Sequence, residues 1–151
     1  MYFDSIRLDE ERCRRSVVPL TELDADLAAG TLPDYVFITP NLCNSAHDCS
    51  LRTADLWLSR VAAYLLVYPA IARDGLIVLT WDEGQGDHGC CGYEPGGGRV
   101  ATILISPLAR SGFQDDTPYT HYSLLKTISA AWRLPELGLA QEANLITLPW
   151  K

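Results

Sequence analysis

Two adjacent carboxylates, Asp82 and Glu83, follow a short apolar run at residues 76–79 and precede a glycine. An apolar run of this length between glycine and charge is typical of a strand buried on both faces. Two acids at the end of such a strand repel each other unless a positive charge lies between them. Carboxylate oxygens are preferred ligands of hard cations, so the pair indicates a metal site. The alternative is a solvated acidic turn.

Two histidines lie close to the ends of other predicted elements. His47 belongs to a polar loop after an apolar run at residues 35–39, and His121 lies in the segment at the start of the last predicted helix. In open α/β sheets, ligands bind beyond the carboxyl ends of the strands. Both histidines are therefore candidates for this edge. The alternative for each is a surface histidine whose ring only makes hydrogen bonds.

The five cysteines have no C-x-x-C spacing, which argues against a zinc ribbon or a thioredoxin-type motif. Cys43 and Cys49 flank a short polar loop and are candidates for a disulfide. That pairing would favour an oxidising compartment. The alternative is five unpaired and mostly buried cysteines.

Composition excludes several function classes. The 151 residues carry a formal net charge of −7 and no Lys/Arg cluster, which argues against nucleic acid as a partner. No apolar stretch approaches the roughly 18–20 residues of a membrane span. Charged residues interrupt the start, so we expect no signal peptide. The sequence also lacks a P-loop and a G-x-S-x-G elbow.

Strand and helix patterns alternate along the chain, which predicts one α/β domain, residues 1–151, with layers around a mostly parallel sheet. The glycine-rich residues between the third and fourth strands are expected to form a flexible surface loop. The predicted strands are 2–6, 35–39, 76–80 and 101–105, and the predicted helices are 21–29, 53–68 and 122–134.

Five sequence blocks, in order, resemble the bacterial phosphoesterase family, which contains acid phosphatases and phosphatidylcholine-type phospholipases C. The likeness runs from about residue 6 to residue 140. The blocks are PDYVFITPNLCNSAHDC, ADLWLS, LIVLTWDEG, GGGRVATILISPLARSG and YTHYSLLKTISAAWRLPELGLA.

The resemblance implies an alkaline-phosphatase-like α/β/α fold and a phosphate ester substrate. By the family's pattern, Asp82 and Glu83 ligate a divalent metal, which oxygen-rich ligation suggests is calcium, magnesium or manganese. His47 maps onto the histidine that reaches substrate phosphate, and His121 is a further candidate catalytic residue of the same site. A phosphomonoesterase is favoured. The alternatives are a phospholipase C-type phosphodiesterase, and a catalytically inactive half-domain or non-catalytic metal- or phosphate-binding fragment.

The chain also departs from the family. Full-length members carry an N-terminal half with a Glu-Asn metal-ligand pair and a serine or threonine nucleophile. Here Glu10 and Glu11 are not followed by asparagine, and Ser16 lacks the nucleophile's sequence context. We therefore expect this chain to be the C-terminal half of such an enzyme, completed by the missing half or by a second chain. An extracellular or periplasmic location is expected.

Overall fold

The computed structural model describes residues 3–151 and builds them from helices and one small sheet. The chain divides into two compact units, Met1–Tyr68 and Pro69–Lys151. The single domain expected for residues 1–151 stays a prediction.

The first unit contains four helices among its described residues: α1 (Asp4–Arg7), α2 (Glu10–Ser16), α3 (Glu22–Ala29) and α4 (Leu51–Leu66). The strand predicted for residues 2–6 is wrong over its described part, because α1 occupies this position; Tyr2 lies outside the described residues. The Arg7 guanidinium donates to the Asp4 carboxylate at 2.8 Å. Side chains three residues apart meet in this way on a helix surface, not along a strand.

Local capping explains where α3 and α4 begin and end. The prediction of α3 is confirmed, since the helix ends at Gly30, whose φ of 70° is the left-handed conformation that glycine adopts easily. α4 begins two residues earlier than predicted. Ser50 is its N-cap, and the Ser50 hydroxyl accepts a hydrogen bond from the Thr53 N–H at 3.3 Å.

The strand predicted for residues 35–39 is not formed. These residues have no regular secondary structure, and the Phe37 side chain is 78% exposed. Helices are the only regular elements in the described part of this unit, so the unit offers no strand partner. An apolar β-type sequence needs a neighbouring strand to become part of a sheet.

The second unit contains α5 (Pro69–Asp74), β1 (Ile77–Thr80), β2 (Thr102–Ile105), α6 (His121–Ala131) and a 3₁₀ helix (Gly138–Glu142). β1 and β2 pair antiparallel, with Ile77 opposite Ile105 and Thr80 opposite Thr102. The described strands therefore give a mixed α/β structure without the mostly parallel sheet that we predicted. Residues 81–101 double back as a hairpin connection, whereas parallel strands need a crossover.

The core of the second unit lies around α6 and the residues after it. Ala140 is fully buried and Ile146 is 8% exposed. The Ile146 N–H donates to the Thr127 hydroxyl of α6 at 3.0 Å. Leu125 of α6 is 37% exposed, and Trp132, just after the end of this helix, is 45% exposed. The residues after α6 therefore contact the helix at Thr127 and leave Leu125 partly exposed.

Gly84, just after the acidic pair, lies directly against the backbone that leads into β2. Its N–H donates to the Gly97 carbonyl at 2.6 Å. A Cβ atom at Gly84 would lie 2.3 Å from the Arg99 carbonyl oxygen. No side chain fits this contact without a backbone shift.

We predict that Gly84→Ala lowers the free energy of unfolding by about 1–3 kcal/mol, because the new methyl group overpacks against backbone. Urea denaturation would measure the loss. Gly97→Ala is the matched control, since its Cβ would meet the Glu83 side chain at 3.3 Å and no backbone atom closer than 3.9 Å. Equal losses in the two variants would contradict the proposed backbone contact.

Candidate functional site

Asp82 and Glu83 lie just past the end of β1, and both side chains are exposed. The Glu83 N–H donates to the Asp82 carboxylate oxygen Oδ1 at 3.0 Å. The next residue, Gly84, is held to Gly97 as described above. The main chain of the acidic pair is therefore fixed by hydrogen bonds, while the carboxylates remain accessible.

Backbone hydrogen bonds close the glycine-rich connection between β1 and β2. The Gly96 N–H donates to the Asp87 carbonyl at 3.1 Å, and the Gly98 N–H donates to the His88 carbonyl at 3.2 Å. A Cβ at Gly96 would lie 2.4 Å from the Gly89 Cα. We expected these glycines to make a flexible loop. In the structure they allow two backbone segments to approach closely, and the flexibility of this connection stays a prediction.

A tight turn forms the tip of this hairpin. Cys90 and Tyr93 make an isolated β-bridge, and the Tyr93 N–H donates to the Cys90 carbonyl at 2.9 Å. Cys91 and Gly92 between them have positive φ values of 60° and 88°. Two central residues with positive φ are typical of a type I′ turn, which favours glycine at the second position. Sequence reasoning missed this turn, although Gly92 was a signal for it.

The hairpin tip packs against the segment that leads into α6. Cys91 Sγ lies 3.0 Å from the Pro118 carbonyl oxygen, and Cys90 Sγ lies 3.6 Å from that of Tyr119. The Tyr93 ring is 5.2 Å from the Tyr122 ring, centroid to centroid. The loop that carries the acidic pair is therefore anchored to the start of α6 by residues that the sequence did not single out.

His121 is the first residue of α6, and its ring reaches the acidic pair through the backbone. Nε2 of His121 lies 2.8 Å from the Asp82 carbonyl oxygen. Because a carbonyl oxygen only accepts, the Nε2 atom carries the hydrogen. The Thr120 N–H donates to the Ser123 hydroxyl at 3.2 Å, which fixes the first turn of the helix. The structure thus brings together two of the predicted site residues, Asp82 and His121.

His47 belongs to the first unit, in a turn closed by cysteines. Cys43 and Cys49 form a disulfide with sulfurs 2.03 Å apart. The His47 N–H donates to the Leu42 carbonyl at 3.0 Å. The ring atom Nδ1 lies 2.7 Å from the Asp48 carboxylate, and the His47 side chain is 71% exposed. A carboxylate on Nδ1 orients the imidazole and leaves Nε2 for another partner.

The remaining cysteines fall into two groups. The sulfurs of the adjacent Cys90 and Cys91 are 2.50 Å apart at the hairpin tip. Cys13 is a free, half-buried thiol in α2.

The chemistry of the donors fits a hard divalent cation in part. Asp82 and Glu83 offer adjacent, accessible carboxylates, the oxygen ligands that calcium, magnesium and manganese take. Within residues 3–151, no group of three His, Cys, Asp or Glu side chains has an arrangement that would hold a metal. The two carboxylates therefore suit part of a coordination sphere.

Asp115 organises the segment that leads to Thr120 and His121. Its Oδ1 accepts from the Thr117 N–H at 2.9 Å, and its Oδ2 accepts from the Tyr119 hydroxyl at 3.3 Å. Hydrogen bonds from Thr117, first from its side chain and then from its backbone, lower the pKa of Asp115. Burial raises the pKa of the Tyr119 hydroxyl.

Five curated proteins match this chain significantly, and three illustrate the likeness. A phosphate-repressible acid phosphatase of Penicillium chrysogenum is 37% identical over 139 residues, 90% of this chain and 32% of that protein. An acid phosphatase of Aspergillus fumigatus is 36% identical over 139 residues, 90% of this chain and 29% of that protein. A phosphatidylinositol-3-phosphatase of Mycobacterium tuberculosis is 32% identical over 121 residues, 79% and 36% of the two chains.

The sequence profile of the Phosphoesterase family matches residues 3–135. The chain spans about a third of the length of the relatives named above. No solved structure matches it significantly. Among the described helices, none combines the length and the apolar character that crossing a bilayer requires.

We predict that Asp115 stabilises the fold through its ionised form. Because its pKa is lower in the folded chain, this stabilisation is present above the unfolded value of about 3.9 and is lost as the pH falls through the folded pKa. Asp115→Asn should therefore lower Tm at neutral pH, and the difference from wild type should shrink in acid. Thermal melts over a pH series would measure this.

Asp116→Asn is the matched control for Asp115→Asn, because it removes a negative charge from the neighbouring exposed residue. If the Tm difference between Asp115→Asn and wild type stayed constant from neutral pH to well below the unfolded value, the ionised Asp115 would have no stabilising role.

Proposed function

This chain belongs to the phosphoesterase family, and we propose that it supplies metal- and phosphate-binding residues of an acid phosphatase-type hydrolase. The observation that carries this proposal is the accessible Asp82–Glu83 pair at the end of β1, with its main chain held on both sides. Both fungal relatives described above are acid phosphatases by name, which supports a phosphomonoester substrate.

In this proposal Asp82 and Glu83 hold a divalent cation. Calcium, magnesium and manganese fit their carboxylate oxygens. When bound, such a cation makes a coordinated hydroxyl more acidic and offsets negative charge on phosphoryl oxygens.

His47 is proposed to bind the phosphate of the substrate. Its Nδ1 is oriented by the Asp48 carboxylate, which leaves Nε2 as the atom that would meet a phosphoryl oxygen. A nitrogen donor held in advance contributes most where charge develops on an oxygen during phosphoryl transfer.

The attacking hydroxyl is not assigned to this chain. We propose that it comes from the part of the full-length relatives that lies outside the matched third, or from a second chain. The layered sheet of the alkaline-phosphatase-like fold would be completed by the same part. The Cys43–Cys49 disulfide supports an oxidising, extracellular or periplasmic compartment for the protein.

The discriminating experiment is hydrolysis of an aryl phosphomonoester and of an aryl phosphodiester by this chain, with and without added Mg²⁺, Mn²⁺ or Ca²⁺. Metal-dependent turnover would support a phosphomonoesterase and refute the assignment of the nucleophile to another segment. Turnover only of an aryl phosphodiester would favour the phospholipase C-type alternative. Cation binding without any turnover is the result that the proposal expects of this chain alone, because the attacking hydroxyl is assigned to another segment, whereas absence of cation binding would contradict the proposal.

We predict that Asp82→Ala and Glu83→Ala each weaken divalent-cation binding by at least about tenfold, because each removes a charged oxygen ligand. Calorimetric titration with Mn²⁺ would measure the change, and circular dichroism would check that the fold is kept. Asp87→Ala is the matched control, an exposed acid of the same hairpin. Equal Mn²⁺ affinity in wild type and both site variants would rule out this metal site.

We predict that His47→Ala weakens binding of inorganic phosphate to the Mg²⁺-loaded chain by about tenfold, since a hydrogen bond to a charged group is worth roughly 1.5–3 kcal/mol. The Mg²⁺ affinity itself should not change. A titration with Mg²⁺ and a titration of the Mg²⁺-loaded chain with phosphate, each followed by NMR, would measure the two affinities. His88→Ala is the control, and unchanged phosphate affinity in His47→Ala would return His47 to a surface role.

A further inference from the structure

We infer that His121 is a positioning residue, whose Nε2–H holds the peptide group between the two proposed metal ligands. Asp82 and Glu83 share this peptide, since its oxygen belongs to Asp82 and its N–H to Glu83. The inference rests on the proposed function for the role of the two acids. The hydrogen bond itself is independent of that role.

Both polar atoms of the shared peptide have partners in the same unit. Its oxygen accepts from His121 Nε2 at 2.8 Å, and its N–H donates to Asp82 Oδ1 at 3.0 Å. The following peptide is fixed as well, because the Gly84 N–H donates to the Gly97 carbonyl at 2.6 Å. The backbone positions from which both carboxylates project are therefore determined before any ligand arrives.

The donor is itself held in place. His121 begins α6, whose first turn is fixed by the hydrogen bond from the Thr120 N–H to the Ser123 hydroxyl. The hairpin tip lies against the residues just before it, and the Tyr93 ring lies beside Tyr122 just after it. These contacts tie the start of α6 to the hairpin that carries the acids. The His121 ring lies between two anchored segments.

This geometry separates His121 from His47 in function. His121 Nε2 is occupied by a main-chain carbonyl, whereas His47 meets a carboxylate through Nδ1. The family resemblance implied that His121 lines the catalytic site. The structure assigns it to the support of the metal ligands. Groups that hold metal ligands in place typically affect metal affinity by about 10–100-fold.

The inference has a chemical signature, because the neutral His121 ring must be the Nε2–H tautomer. A glutamine amide nitrogen can reach roughly where Nε2 lies, since both are separated from Cβ by a similar length of side chain. Alanine offers no donor. His121→Gln should therefore preserve the hydrogen bond that His121→Ala removes.

The first experiment is NMR on the ¹⁵N-labelled chain without metal at alkaline pH. Long-range ¹H–¹⁵N correlations should show His121 as the Nε2–H tautomer. The Glu83 amide resonance should shift in His121→Ala and stay near its wild-type position in His121→Gln. An Nδ1–H tautomer, or a Glu83 amide that is unaffected by His121→Ala, would overturn the inference.

The second experiment is calorimetric titration of the same variants with Mn²⁺. We expect His121→Ala to lose about tenfold or more in affinity and His121→Gln to stay within about threefold of wild type. His88→Ala serves as the control for removal of an exposed imidazole from the hairpin. Equal losses in the alanine and glutamine variants, or no loss in either, would contradict a positioning role.

The two measurements distinguish this inference from the proposed function. A wild-type chain that binds no Mn²⁺ would overturn the metal site on Asp82 and Glu83. The tautomer and the Glu83 amide shift would still decide whether His121 holds the shared peptide. Tight Mn²⁺ binding together with the Nδ1–H tautomer would keep the metal site and remove His121 from its support.

Discussion

The close approach of backbone to backbone within residues 81–101 is the constraint on which the candidate site depends. Gly84 lies against the Arg99 carbonyl, and Gly96 lies against Gly89, at distances that no Cβ atom could tolerate. These contacts bring the end of β1 beside the start of β2 without an intervening helix. The acidic pair is consequently placed on a hairpin that packs on the start of α6, and His121 becomes its neighbour.

Fixing the backbone has a consequence for the free energy with which the two acids would bind a cation. Asp82 and Glu83 are exposed, so water screens their mutual repulsion. A cation that binds both must still overcome the entropy of ordering the side chains. The backbone entropy has already been lost on folding, because hydrogen bonds hold both sides of the Asp82–Glu83 peptide. An acidic pair on a mobile loop would bind more weakly with identical ligands.

Local signals in the sequence predicted elements better than pairing. The predicted helix at residues 21–29 agrees with α3, whose end Gly30 marks, and β1 and β2 agree with predicted apolar runs. The start of α4 was misplaced because Ser50 and Thr53 are equally suitable caps by residue type. The direction of the β1–β2 pair depends on how residues 81–101 fold. Whether residues 35–39 form a strand depends on a partner strand. Neither property is encoded in the apolar run itself.

Within the candidate site, residue type identified the groups with reactive chemistry, but not the contacts that orient them. The Asp-Glu pair was singled out because carboxylates ligate cations, and His47 because an imidazole can bind phosphate. The acceptor of the His121 ring is a main-chain carbonyl. Every residue possesses one, so no pattern of side chains predicts this contact. A family resemblance likewise transfers side chains, position by position. It cannot distinguish an imidazole that contacts phosphate from one that holds a peptide, because both need the same histidine. The two roles differ only in the acceptor atom to which Nε2 donates its hydrogen bond.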